Sequence, residues 1–478
     1  MGVPPRRRAI RWAAAILLAA TAATVAILLA TSTAATGPQA ETHQAAAHAP
    51  NILIIVTDDQ TTGTVSRAVM PHTVHYLVRG GRRYSNFFVT DPLCCPSRAS
   101  IMTGRYDHNN HVTDNSPGGF HLDMSTTLQH YLHEAGYRTW ISGKFLNGWS
   151  VTPGSPNPPD WDQFLITRGG RHLNLRFNQD GHSFKYAPYA EPLIERQARR
   201  YLAATEGNDA QPWFGYLSFT VPHGPYTPMS GYQPLPFHVR RPTPAERERN
   251  ISDKWPGYAA HARYGFDTRD WLAQLRMLRQ ADDIIGAIFA QLRSQGELRN
   301  TIVVFLSDNG YLFRAHQLLG KRLPYTEAVR VPAMIRWPGH IRGGSVDRRL
   351  STNVDLTPTL LAAAGVTPDP LVAPLDGRNL FDRSWTRPYV LLEQWASAGH
   401  APRDWAPTWG SLRSTRWQYI EYDDAAGNVT FREYYDLVHD PWMLHNRLVG
   451  HDPPSQSRLA KLHALLAAAR GCAGANCP

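Results

Sequence analysis

Cysteine is scarce in this chain: four among 478 residues, at Cys94, Cys95, Cys472 and Cys477. Four are too few for a disulfide framework in a chain this long, and no Cys/His spacing suited to zinc accompanies them. Cys472 and Cys477, separated by four residues in a Gly/Ala-rich tail, can close a small loop in an oxidising compartment or stay inert thiols. Cys94 and Cys95 are adjacent, cannot easily bond to each other, and are the unusual pair. Lysine is also sparse, with five (Lys144, Lys185, Lys254, Lys321, Lys461) among 49 basic residues, so a retained lysine marks a place where arginine does not serve. Internal repeats are absent. With 42% hydrophobic and 18% charged residues, collagen-like, coiled-coil and wholly disordered chains are excluded, and a large core can be buried. The length suits one large domain plus a smaller one, or two to three ordinary domains, and 37 Pro with 36 Gly imply many ordered loops.

What is present is positive charge. A formal net charge of +10 favours anionic partners, although most basic residues serve a solvated surface, and charge alone does not separate nucleic acid, acidic lipid and sulfated or phosphorylated substrates. At the N-terminus, Arg6, Arg7, Arg8 and Arg11 precede an apolar run from Trp12 to Ala30. Residues 1–36 therefore read as a signal peptide or a signal anchor, with a twin-arginine export signal as a variant, and residues 37–50 as a flexible spacer. The folded part is expected to begin near Asn51, in an exported protein that is secreted or anchored at the outer face of the cytoplasmic membrane.

From there, apolar strands alternate with amphipathic helices, the pattern of an α/β fold with a largely parallel sheet. Strand-like runs lie at Asn51 to Thr57, Tyr137 to Ser142, Trp213 to Val221 and Thr301 to Ser307; helical patterns lie at Thr126 to Ala135, Glu191 to Ala204, Thr268 to Ser294 and Leu356 to Ala364. Residues 148–190 and 222–265, rich in Pro, Gly, His and aromatics, read as loops rimming a site. The strands are followed by Asp58-Asp59, Gly143-Lys144, Pro222-His223 and Asp308-Asn309-Gly310. Ligands of open α/β sheets bind beyond the carboxyl ends of the strands, so these residues should meet in one crevice. Each alone has a structural reading as a turn or a solvated end; together, oxygen ligands from two strand ends suit a hard cation such as Ca²⁺ or Mg²⁺.

The most specific stretch is Asp91 to Tyr106, DPLCCPSRASIMTGRY. Cys94-x-Pro96-Ser97-Arg98 with Ala99-Ser100 and Thr103-Gly104-Arg105 resembles the signature of the formylglycine-dependent (type I) sulfatases of the alkaline-phosphatase-like superfamily. The resemblance extends through NILIIVTDDQ, GYRTWISGKFLN, PHGPY, SDNGYLFRAHQLLGKRLPYTEAVRVP and YYDLVHDPWMLHN, and is greatest toward the N-acetylglucosamine-6-sulfatases. It implies an α/β sandwich with a large mostly parallel sheet flanked by helices (51–385), a small C-terminal antiparallel sheet with one helix (386–470) and a tail (471–478). Short aromatic-rich strands at Gly410 to Ser414, Trp417 to Tyr422 and Thr430 to Tyr435, with a helix from Ser455 to Ala468, agree with that second part.

The same resemblance implies that a formylglycine-generating enzyme converts Cys94 to Cα-formylglycine, whose hydrated diol attacks sulfur with one hydroxyl and expels sulfate with the other. Asp58, Asp59, Asp308 and Asn309, with the modified Cys94, would hold Ca²⁺, with Mg²⁺ as the alternative. Arg98, placed one turn into a helix begun by Pro96, would support the diol; Lys144 and Lys321 would bind sulfate oxygens; His223 would protonate the leaving alcohol. Many members carry a histidine after the Gly-Lys pair, where this chain has Leu146 and Asn147, and another where it has Leu312, with His316 matching the next family histidine. Asn147 and His316 are thus candidate substrate contacts. The implied activity is hydrolysis of a sulfate monoester on a carbohydrate, such as 6-O-sulfated N-acetylglucosamine; the rivals are a broad-range arylsulfatase, a phosphate or phosphonate monoester hydrolase, and an inactive sulfated-glycan binding protein. No nucleic-acid partner is expected, and membrane contact only through the N-terminal segment.

Overall fold

The computed structural model describes residues 49–205, 211–397, 405–450 and 452–478; the N-terminal signal or anchor and nearly all of the spacer lie outside the described residues. A ten-stranded sheet carries the site. Its strands are β1 (Asn51–Thr57), β2 (Arg82–Phe88), β3 (Arg138–Lys144), β4 (Gln163–Thr167), β5 (Leu175–Gln179), β6 (His182–Tyr186), β7 (Trp213–Ser218), β8 (Thr301–Ser307), β9 (Ala333–Arg336) and β10 (Ser345–Thr352), in the spatial order β10-β2-β9-β8-β1-β7-β3-β4-β5-β6. The centre, β8-β1-β7-β3-β4, is parallel, whereas β9 and the β5–β6 hairpin join antiparallel. The sheet is thus parallel where the site forms and mixed at its flanks.

Strand β1 is buried along its whole length and apolar from Ile52 to Val56 because both faces are covered. Ile52, Ile54 and Val56 enter one core, with side chains from α1 (Cys94–Thr103), α2 (Leu128–Glu134) and a later helix, Leu356–Ala364. Leu53 and Ile55 enter the other, against α3 (Ala190–Thr205) and α4 (Thr268–Ser294). This alternation is the period of two expected of a strand, with apolar residues in both phases. The helix at 356–364 is α5, and α6 is Gln456–Arg470.

Four antiparallel strands, β11 (Val390–Gln394), β12 (Thr408–Arg413), β13 (Trp417–Asp423) and β14 (Val429–Asp436), form a second sheet in sequential order. Leu462, Leu466 and Ala469 of α6 cover one face beside Leu391, Leu412 and Tyr419, and Val390, Leu392 and Trp409 pack on the other side. Cys472 and Cys477 are disulfide-bonded at the end of α6. Among the described residues, no helix is long and apolar enough to cross a membrane.

Several expectations need correction. Residues 148–190 are not merely a rim: they supply β4, β5 and β6, of which β5 and β6 form a hairpin at the end of the sheet and β4, between β3 and β5, carries only a short apolar stretch. Strands β2, β9, β10 and β11 were likewise not expected from the sequence. Residues 222–265 contain only short 3-10 turns, the longest at Pro256–His261, but Ala245 and Tyr258 are fully buried against the second sheet. The strand expected over Trp213 to Val221 is β7, which stops at Ser218, so His223 stands on the loop beyond it.

Candidate active site

Register places the acids. Thr57 pairs with Ser307 across the parallel β1–β8 ladder, so Asp58-Asp59 and Asp308-Asn309 leave the sheet side by side. On the other flank Ser218 of β7 is paired with both Val56 and Gly143, which carries Lys144 to the same end. Gly143 has φ of +121°, and a Cβ there would lie 1.7 Å from the Ser218 carbonyl oxygen. Only glycine permits that approach. Asp59 itself adopts a left-handed φ of 67°, which an aspartate tolerates, and its carbonyl accepts from Gln274 Nε2 of α4 at 3.1 Å.

Helix α1 begins at Cys94, not at Pro96, so Cys94 sits in the first turn at the positive end of the helix dipole. Its Sγ is 3.5 Å from Asp58 Oδ1 and 2.7 Å from Lys321 Nζ. Cys95 faces away: its thiol meets the Asn147 carbonyl at 3.2 Å, and its amide donates to Asn115 Oδ1. Burial pushes the Cys94 thiol up to about 12 against the pull of Lys144 and Lys321, so an unmodified Cys94 is protonated at neutral pH.

The other charges interlock. Lys144 Nζ donates to Asp58 Oδ2 at 2.6 Å, and Lys321 Nζ donates to Asp59 Oδ1, which also accepts from Asn309 Nδ2 at 2.6 Å. Arg98, 1% exposed, donates from Nε to Asp308 Oδ2 at 2.8 Å and from Nη1 to Ser218 Oγ and the Lys144 carbonyl at 2.6 and 3.1 Å. Burial opposes ionisation of Asp58, but Lys144, with His223, Arg98 and Lys321, outweighs it and holds the carboxyl well below the usual carboxylate range. Burial and the neighbouring Asp58 raise Asp308, against Arg98. The ammonium groups of Lys144 and Lys321 are held charged by Asp58 and Asp59 in spite of burial.

The half-buried His223 has Nε2 3.7 Å from Asp59 Oδ2, while its Nδ1 contacts the Gly224 carbonyl. The structure thus brings Asp58, Asp59, Cys94, Arg98, Lys144, His223, Asp308, Asn309 and Lys321 together. It does not bring His316 to them: that imidazole is buried against Glu248 at 2.6 Å and packs at a tilt on Tyr325. Asn147 touches the group only indirectly, through its carbonyl on Cys95. Leu146 and Leu312 are core residues. Two polar neighbours escaped sequence reasoning: Ser218, which the strand-end logic could have found had β7 been ended correctly, and Gln274, which no local signal marks.

The donor set suits a hard divalent cation. Oxygens of Asp58 and Asp59, Cys94 Sγ and a His223 ring nitrogen lie within 4.8 Å of one another, and Asp308 and Asn309 adjoin. Three carboxylates balance Lys144, Lys321 and Arg98, so a divalent cation leaves the surplus of positive charge that an anionic substrate needs. Arg98 Nη2, buried without a hydrogen-bond partner among the described residues, is a donor suited to an anion or diol oxygen.

Comparison with known proteins adds the family. The sulfatase family model matches residues 50–366, more than half of the chain. The chain belongs to the sulfatase family. A second model, the C-terminal region of N-sulphoglucosamine sulphohydrolase, matches residues 315–471 of this sulfatase-family member. The extracellular sulfatase SULF-1 homolog of Drosophila melanogaster is 33% identical over 367 residues, 72% of this chain and 32% of that protein. The chain therefore spans about a third of that relative's length. Human N-acetylglucosamine-6-sulfatase is 26% identical over 488 residues, 90% of this chain and 86% of that protein. Among solved structures, one described as a complex with its substrate D-glucosamine-2-N,6-O-disulfate superposes with a TM-score of 0.70 at 22% identity, covering 88% of this chain and 97% of that one; this likeness establishes the fold.

Proposed function

We propose that this protein is an exported hydrolase of carbohydrate sulfate monoesters, with 6-O-sulfated N-acetylglucosamine as substrate and Cα-formylglycine at position 94. The observation that carries the reading is the position of Cys94 Sγ, at a helix N-terminus, between the Asp58 carboxylate and the Lys321 ammonium. N-acetylglucosamine-6-sulfatase relatives aligned along 90% of the chain support the substrate. Export is supported by the arginine-led apolar N-terminal segment and the Cys472–Cys477 disulfide.

Asp58, Asp59, Asp308 and Asn309 would hold Ca²⁺, with Mg²⁺ as the alternative. When bound, the cation supplies polarisation of a sulfate oxygen and an orienting clamp. A formylglycine-generating enzyme acting on Cys94 would provide a residue that, hydrated, offers a hydroxyl nucleophile. The chain's own residues do the rest. Lys144 and Lys321 neutralise the sulfate oxygens as charge develops, Arg98 supports the group at position 94, and His223 delivers a proton from Nε2 to the departing alcohol. Because Nδ1 of His223 faces the Gly224 carbonyl, Nδ1 donates to it, and Nε2 is the ring nitrogen turned toward Asp59 and the reaction centre.

The decisive experiment is fragmentation mass spectrometry of the tryptic peptide Tyr84 to Arg98 from protein made in its own host, paired with sulfate release from N-acetylglucosamine 6-sulfate and phosphate release from the matched phosphate ester. Formylglycine at 94 with preferential sulfate release is expected. Unmodified Cys94 and Cys95 in an active preparation overturn the mechanism, and faster phosphate release overturns the substrate.

A further inference from the structure

Behind His223, three buried polar side chains from separate segments form a chain that ends on its main chain. Glu191, in the first turn of α3, accepts at Oε1 from the Thr220 amide at 3.1 Å and meets the Thr220 hydroxyl at 2.6 Å. Thr220 Oγ1 is 2.8 Å from Nδ1 of His172, in the loop between β4 and β5, and His172 Nε2 is 2.6 Å from the carbonyl oxygen of His223. The His172 ring is fixed by stacking on Tyr189 at 5.6 Å between centroids.

Donor and acceptor accounting gives this chain a direction. A carbonyl only accepts, so His172 Nε2 must donate to it. In a neutral ring Nδ1 is then a lone pair, the Thr220 hydroxyl must donate to it, and Glu191 must bring its own proton to Thr220. The alternative places that proton on His172 and lets Thr220 donate to an ionised Glu191. In both cases Glu191 and His172 together hold one proton beyond an ionised glutamate and a neutral imidazole. Burial raises the Glu191 carboxyl to about 7 and lowers His172 to about 4, which favours the proton on Glu191.

His223 needs such support. It stands five residues beyond the end of β7 and two beyond the last backbone bond to the sheet, from the Asp58 amide to the Val221 carbonyl at 3.0 Å, and a cavity of about 330 Å³ lined by His172, Asn174, Pro225 and Thr227 lies against its loop. We infer that Glu191, Thr220 and His172 are positioning residues, a directional hydrogen-bond chain that pins the main chain of His223 and keeps its Nε2 aimed at the reaction centre. The inference rests on the reading of His223 as the acid for the leaving alcohol. A misplaced general acid slows departure of a poor leaving group and is nearly irrelevant to a good one.

The test therefore uses two esters: N-acetylglucosamine 6-sulfate, whose alkoxide needs a proton, and 4-nitrophenyl sulfate, whose phenolate does not. Thr220→Val and His172→Phe should lower kcat on the sugar ester by about tenfold or more with little change in KM, while the aryl ester changes by less than about threefold. Thr220→Ser, which keeps the hydroxyl, should restore sugar-ester turnover. Equal losses on both esters, or none, in whichever of the first two variants folds with an unchanged melting curve overturn the inference. His223→Gln serves as the reference. If it discriminates between the esters and the relay variants do not, the relay alone fails; if His223→Gln does not discriminate, the acid assignment fails and the relay falls with it.

Discussion

Arg98 offers the sharpest energetic test, because its guanidinium is fully buried and bonded to Asp308, Ser218 and the Lys144 carbonyl. Arg98→Met keeps the length and apolar contacts of the side chain but removes every donor, leaving Asp308 as a buried carboxyl without its cation. Breaking one side of a buried ion pair costs about 3–5 kcal/mol, mostly the stranded charge. With about 2.1 cal/mol/K of unfolding entropy per residue, some 420 folded residues carry on the order of 0.9 kcal/mol/K, so the melting temperature should fall by about 3–6 °C. The assay is thermal unfolding by circular dichroism in chelator, at fixed scan rate, for wild type, Arg98→Met, Asp308→Asn and the double variant. Because Asp308→Asn removes the stranded charge, the double variant should be at least as stable as Arg98→Met alone. A loss below about 1 kcal/mol in Arg98→Met, or strictly additive losses, would refute the claim that the pair is coupled through burial.

Three further outcomes are expected. Chelation with EDTA should abolish sulfate release and lower the melting temperature, with Ca²⁺ restoring both; at a hundredfold excess over Kd the stabilisation is about 2.7 kcal/mol, and an unchanged melting curve would argue against a resident cation. Gly143→Ala should reduce activity far more than Gly63→Ala: both have positive φ, but an added Cβ meets the Ser218 carbonyl at position 143, beside Lys144, and open space at position 63. Similar activities would show that this close approach does not position Lys144. For His108, burial favours the neutral ring, but Glu393, 2.8 Å from Nδ1, raises it to about 9. A folded value above the ordinary 6.5 means that the stabilisation is complete below about pH 6.5 and lost as pH rises through about 9. His108→Gln should therefore show a flatter melting temperature against pH across that window, and curves parallel to wild type would contradict it.

How legible a segment was depended on how locally its structure is determined. β1, β8, α4 and α5 match their expected bounds because burial on both faces of the sheet writes an uninterrupted apolar run, and a helix covering a sheet writes a 3.6-residue period. Strands β4, β5 and β6 escaped because they are short and their stability comes from pairing with β3 and with one another, cross-strand contacts that leave no pattern of their own. The candidate site followed the same division. Asp58, Asp59, Lys144, Asp308 and Asn309 were legible as residues following strands, whereas His316 satisfied a sequence motif and yet belongs to a buried pair with Glu248.

By itself, then, the sequence determined the chemical inventory: a cysteine in its sulfatase-like signature, two acid pairs at strand ends, and lysines kept where arginine is otherwise the rule. Tertiary structure alone decided which of these residues meet. The register of Thr57 against Ser307 sets the two acid pairs side by side, the helix start at Cys94 points one cysteine at Lys321 and turns its neighbour into the core, and the loop holding His172 reaches the main chain of His223 from across the sheet. The physical reason is that side-chain chemistry is a property of each residue, whereas a distance of 3 Å between residues 50 or 250 positions apart exists only once the parallel ladder and both cores have formed.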